Sequence, residues 1–251
     1  VRAFRPDPVP QPLLEHVFAL ANRAPSNCNT QPWLTAVPSG AACERLRRRF
    51  QADFASGQVS MDFPYAGKYA GVYKERQYDA AEKLYGAMGI PREDKAARGA
   101  AFMRNFAFFD APHVAFLFIP DWAGVREAAD AGMYAQTLML ALSAHGLASC
   151  PQTALSFLCD AVREECGVDP SQRLLFGISF AGEPGLDRLV GVLGLWLNSL
   201  ALVFGIVQGA WTDRAPLTVL RGSAVALLLA LLGGVLFGGS SVLGYLLTLG
   251  L

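Results

Sequence analysis

Ala24-Pro25-Ser26-Asn27-Cys28-Asn29-Thr30-Gln31-Pro32-Trp33 follows a stretch, residues 12–23, in which Leu13, Leu14, Val17, Phe18, Leu20 and Ala21 recur at helical spacing, and it precedes a short apolar segment. It reads as an ordered loop at a helix end. Pro25 and Pro32 stiffen it and keep the segment between them from continuing as regular helix or strand. Ser26, Asn27, Asn29, Thr30 and Gln31 all donate and accept hydrogen bonds. That combination suits a planar ring with polar edges. It suits equally a loop that only caps and turns, since the same residue types dominate turns.

Outward from this loop the chain reads mostly as helix. Residues 41–54 form a second amphipathic pattern and 68–88 a third, with Tyr69, Val72, Tyr73, Leu84 and Tyr85 among alternating charges. Pro91 opens a fourth that passes Lys95 and Arg98 toward Phe109. Phe102, Phe106, Phe108 and Phe109, near helical spacing, read as core. His113 through Ile119 is a nearly continuous apolar run ended by Pro120-Asp121, as in a buried strand. Residues 125–145 are only weakly polar on any face and are expected as the central buried helix. Residues 155–166 form a further helix stopped by Gly167, and 173–181 a last strand broken by Gly182-Glu183-Pro184-Gly185. Helices alternating with a few separated strands imply an α+β domain, a central sheet flanked by helices. No GxGxxG follows a strand, so a dinucleotide-binding fold is not expected.

The 251 residues carry 21 Lys+Arg and 21 Asp+Glu, and only three of each lie beyond residue 181, so the composition changes near Gly182. Arg45-Leu46-Arg47-Arg48-Arg49 is the densest basic run, and on a helix it spreads around the surface; nucleic acid is not an expected partner. Five cysteines without CxxC spacing read as free thiols of a reducing compartment. His16, His113 and His145 lack ligand spacing, so no metal site is expected.

Pro-Ser-x-x-Asn-x-Gln-Pro-Trp resembles the flavin loop of the FMN-dependent nitroreductase family, and three further stretches agree in order. They are Val1-Arg2-Ala3-Phe4-Arg5-Pro6; Arg104-Asn105-Phe106 through Pro112-His113-Val114; and Gly132-Met133 through Ser149-Cys150-Pro151-Gln152. The resemblance covers residues 1 to about 182. It implies a nitroreductase-like sheet and an NAD(P)H-dependent flavin oxidoreductase that reduces nitroaromatic, quinone or similar electron-poor acceptors by a ping-pong mechanism. It also implies a homodimer with FMN at the subunit interface. By the same resemblance Arg2 meets the FMN phosphate, Pro25, Ser26, Asn27, Asn29 and Gln31 contact the ring, Pro151 and Gln152 lie near its reactive edge, and Arg104 reaches its pyrimidine edge. Arg104 read without the family is an ordinary helix-surface arginine. No side chain is expected as nucleophile or general base, because the cofactor carries the chemistry. Residues 56–74 are the expected lid.

Beyond Gly182 the character differs. Residues 189–211 and 222–251 hold 23 and 30 residues without a charge, each longer than the roughly 20 apolar residues that span a bilayer core. They read as a membrane hairpin that places residues 1–182 on the cytoplasmic face, the alternative being a buried arm of a soluble cytoplasmic oligomer. Between them, Thr212-Asp213-Arg214-Ala215-Pro216-Leu217 resembles the family's C-terminal phosphate segment. A single crossing by 189–211 would separate Arg214 from the flavin, so the two expectations compete. The family's companion Arg and Ser to Arg2 fall before Val1, and Trp211 replaces a basic residue. These departures support a rival reading as a non-catalytic, membrane-anchored flavin sensor or assembly module. A second rival is a reductive dehalogenase or flavin-fragmenting member of the same family.

Overall fold

The computed structural model describes residues 1–65 and 67–183. The expected membrane hairpin and Arg214 lie outside them. Among the described residues no helix is long and apolar enough to cross a membrane, and no three metal-ligating side chains group together.

The chain runs α1 (Gln11–Ala21), β1 (Leu34–Ala36), α2 (Gly40–Ala55), α3 (Gly71–Ala87), α4 (Lys95–Met103), β2 (His113–Pro120), α5 (Val125–Ala144), β3 (Leu147–Gln152), α6 (Cys159–Cys166) and β4 (Gln172–Gly182). The strands form one antiparallel sheet in the order β1-β2-β4-β3. The unbroken apolar run of β2 follows from burial on both faces. Ala115, Leu117 and Ile119 pack with Val17 and Ala21 of α1 and Leu138 and Leu142 of α5. Val114, Phe116 and Phe118 pack with Leu46 and Phe50 of α2 and Val162 of α6. Each such large side chain contributes about 1.5–3 kcal/mol relative to an exposed one. The expected α+β sheet flanked by helices is what these layers form.

Several elements differ from the sequence expectation. The fourth helix begins not at Pro91 but at Lys95, where the Asp94 carboxylate accepts the Ala97 N–H at 2.8 Å. It ends at Met103, and the chain then turns through Phe108, Phe109 and Asp110, all at left-handed φ of 57°, 50° and 66°. Phe106, Phe108 and Phe109 are core as expected, whereas Phe102 is 38% exposed. The helix expected over 155–166 divides into a 3-10 turn, Thr153–Phe157, and α6. Strand β3 was not expected, because Leu-Ala-Ser-Cys-Pro-Gln has neither alternation nor a β-branched run. It is an edge strand, where Pro151 is tolerated for want of an N–H.

Two contacts fix the ends of the sheet. Gly177 of β4 faces Phe116 and Gln152, and a Cβ there would stand 2.6 Å from Leu155 Cδ1; its absence lets the turn after β3 settle on the sheet. The N-terminal segment is pinned by Phe4, which packs with Phe109 and Ala181, and by Arg5 N–H, which donates to the Gly182 carbonyl at 2.9 Å. Helix α3, by contrast, buries no residue at all. Of its expected apolar face, Val72 and Tyr73 stay exposed, Tyr73 by 65%, while Leu84 and Tyr85 are only partly covered.

Candidate functional site

The loop after α1 is strained and braced. Cys28, Asn29 and Gln31 hold φ of 50°, 55° and 45°. Asn visits this region with little penalty, but Cys and Gln do so at about 1–3 kcal/mol each. The braces are specific. Ser26 Oγ accepts the Gln31 N–H at 2.9 Å, and the Gln31 side-chain amide donates to the Asn22 carbonyl at 3.3 Å. The Asn27 N–H donates to Asp130 Oδ2 at 3.0 Å, from α5. Trp33 donates its indole N–H to Asn22 Oδ1 at 3.2 Å and stacks on Tyr134 at 4.9 Å. Ser26 and Gln31 are thus occupied in shaping the loop. Asn27 and Asn29 are left exposed on its surface.

A separate cleft of about 390 Å³ lies between α3 and α4 on one side and the end of β3 on the other. That volume falls in the range of small-molecule sites, roughly 300–1,000 Å³. Ala80, Ala81, Leu84, Ala101 and Phe102 give it apolar walls. Asn105, Pro151, Gln152, Thr153 and Ala154 give it a polar and backbone edge, and Arg2 brings a cation.

Arg2 is held from below. Its guanidinium lies 5.7 Å from the centroid of Phe109, and that of Arg104 lies 5.8 Å from the same ring. Arg104 also donates to the Arg2 carbonyl at 3.0 Å and to Asp110 at 3.5 Å. The left-handed turn that presents Phe109 is therefore the platform on which Arg2 rests.

Of the residues nominated from sequence, Arg2, Pro151 and Gln152 line this cleft. Pro25, Ser26, Asn27, Asn29, Gln31 and Arg104 do not. Arg104 acts on Arg2 through its carbonyl. The Gln152 amide is turned into the interior, where it donates to Asn105 at 3.0 Å and accepts from the Ser179 hydroxyl. Gln152 is 3% exposed, so its amide is committed to the interior rather than offered to a ligand. The expected lid is clamped at its start: Asp62 pairs with Arg163 and accepts the Leu174 N–H at 2.6 Å, and Ser60 bonds both Phe157 and Cys159.

Sequence reasoning missed Asp130, Phe109 as a platform, and the Tyr85 and Phe102 walls. The signal for Asp130 was a carboxylate on the small-residue face of α5, beside Ala131 and Ala135; it is 5% exposed. His113, far from any ligand spacing, is a structural tie. It accepts the Val9 N–H at Nε2, 2.8 Å, and its Nδ1 meets Ser39 Oγ at 2.8 Å. Burial lowers its pKa from the ordinary 6.5.

Comparison with known proteins gives a consistent result. The Nitroreductase family model matches residues 1–182. The chain is 50% identical over 181 residues to the nitroreductase NfnB of Mycolicibacterium smegmatis, covering 72% of this chain and 77% of that protein. It is 34% identical over 184 residues to a 4-nitrobenzoate reductase of Pseudomonas putida, covering 71% of this chain and 79% of that enzyme. The crystal structure of the FMN-dependent NfnB from Mycobacterium smegmatis in complex with NADPH matches at a TM-score of 0.70 and 50% identity. That match covers 72% of this chain and 82% of the solved one.

Proposed function

The chain belongs to the nitroreductase family, and from that premise we propose that it is an NAD(P)H-dependent flavin oxidoreductase that binds FMN and reduces nitroaromatic compounds. The cleft carries the reading. Its donor set fits FMN: one cation for the phosphate, flat apolar walls for the ring, and backbone groups at the edge. Arg2 would hold the phosphate, steadied by Phe109 and Arg104. Pro151, Gln152, Thr153 and Ala154 would border the ring through main-chain groups, and Ala81, Leu84 and Phe102 would exclude water from it. When bound, FMN supplies the two-electron chemistry between the nicotinamide donor and the nitro acceptor. We infer ping-pong kinetics, because the cleft has one set of walls for donor and acceptor to share in turn, and quinones would use the same walls.

The loop bearing Asn27 and Asn29 does not line the cleft, so a single chain presents two partial sites. A homodimer that brings the loop of one protomer to the cleft of the other would complete the site. Membrane attachment is a proposal for residues 189–211 and 222–251, supported by their uncharged length. The test is an anaerobic visible spectrum of the purified protein. A flavin band that bleaches with NADPH and returns with 4-nitrobenzoate is expected. A protein that stays colourless after incubation with FMN would sink the proposal and favour the non-catalytic rival.

A further inference from the structure

Resting on that reading, we propose that Arg98, stacked on Tyr85 beside the cleft, recognises the 2′-phosphate of the donor's adenosine and makes the enzyme prefer NADPH to NADH. Tyr85 of α3 lines the cleft. The Arg98 guanidinium lies 4.3 Å from the Tyr85 ring centroid, and its Nε donates to the Pro91 carbonyl at 3.2 Å. Stacking and this one bond fix the plane of the guanidinium. Its two terminal nitrogens have no partner among the described residues. Arg45, Arg49, Arg163 and Lys83, in contrast, each pair with a carboxylate.

A planar, pre-oriented guanidinium with two unpaired nitrogens is built for a phosphate dianion, which it meets with two parallel hydrogen bonds. The surroundings agree in sign. Arg92, Lys95 and Arg98 outnumber Glu93 and Asp94, and the Asp94 carboxylate is already engaged as the cap of α4. Arg2, the cation inside the cleft, is assigned to the flavin phosphate. The nicotinamide must reach the flavin inside the cleft, so the adenosine end of the donor lies toward the rim, and half-exposed Arg98 stands beside a residue of that wall. NADPH and NADH differ only in the 2′-phosphate. A contact to it therefore shows as a change in the ratio between the donors, whereas a contact to their shared pyrophosphate affects both.

The experiment compares kcat/KM for NADPH and NADH in the wild type, Arg98→Gln and Arg98→Lys, with inhibition by 2′,5′-ADP measured alongside. The wild type is expected to prefer NADPH. Arg98→Gln should lose roughly tenfold or more in kcat/KM for NADPH and in 2′,5′-ADP affinity, the size of one charge-assisted contact. NADH kinetics and bound FMN should be unchanged, and Arg98→Lys should keep part of the preference. A wild type that favours NADH, an equal loss with both donors, or an unchanged ratio would overturn the assignment. A protein that oxidises neither donor overturns the proposed function, and this inference with it.

Discussion

Asp130 shows how one side chain shapes the loop. Its carboxylate takes the Asn27 N–H from a buried position on α5, and the strained residues Cys28, Asn29 and Gln31 depend on that end being fixed. Removing the acceptor leaves a backbone donor without its partner and frees the loop to relax from its left-handed conformations. Asp130→Ala should therefore lower stability by about 1–3 kcal/mol in urea unfolding and reduce FMN occupancy, whereas Asp130→Asn, which keeps an oxygen, should lose less of both. Equal stability and flavin content in Asp130→Ala would show that the loop holds its own shape. The sequence displayed the loop's residue types but not their division of labour. Ser26 and Gln31 are braces and Asn27 and Asn29 are presented, and only the positions of Asn22 and Asp130 separate the two roles.

At the scale of elements, legibility followed burial pattern. β2 announced itself by an unbroken apolar run and is covered on both faces of the sheet. α5, expected as a central buried helix, instead packs one face, with Ala131, Tyr134, Leu138 and Leu142, on the sheet and leaves Met133 and Leu140 on the other face 41% and 61% exposed; its weakly polar outer face misled the reading. β3 was silent because an edge strand with a proline lacks the residues that mark a strand, and its pairing with β4 comes from tertiary contact. The left-handed turn at Phe108–Asp110 was silent too, since nothing in Phe-Phe-Asp signals positive φ. His113 ties three elements, joining β2 to the segment before α1 through Val9 and to the start of α2 through Ser39. Its Nε2 must stay unprotonated to accept from Val9. Because burial depresses its folded pKa below 6.5, the unfolded chain takes up the proton first. The stabilising tie is thus fully present above pH 6.5 and is lost as pH falls below it toward the folded value. The urea midpoint of the wild type should drop below pH 6.5, and that of His113→Asn should start lower and vary less over the same range. Parallel curves would assign the pH dependence to other groups.

For the whole molecule, the proposed site joins a loop seated on α5 to a cleft beside α3, which the loop does not line within one chain. Arg2 and residues 151–154 line the cleft, while the loop, which does not line it, presents Asn27 and Asn29. Helix α3, with no buried residue, leaves a broad face for a second copy to meet. A shared site predicts complementation between subunits damaged in different halves. The most direct measurement co-expresses an Arg2→Ala subunit and an Asn27→Ala/Asn29→Ala subunit on different affinity tags, purifies through both, and assays NADPH-dependent reduction of 4-nitrobenzoate. In a twofold-symmetric heterodimer one site carries both lesions and the other carries none, so roughly half of the wild-type activity should return although each variant alone is nearly inactive. Activity no higher than that of the parents, or no protein retained through both tags, would contradict a site built from two copies of the chain.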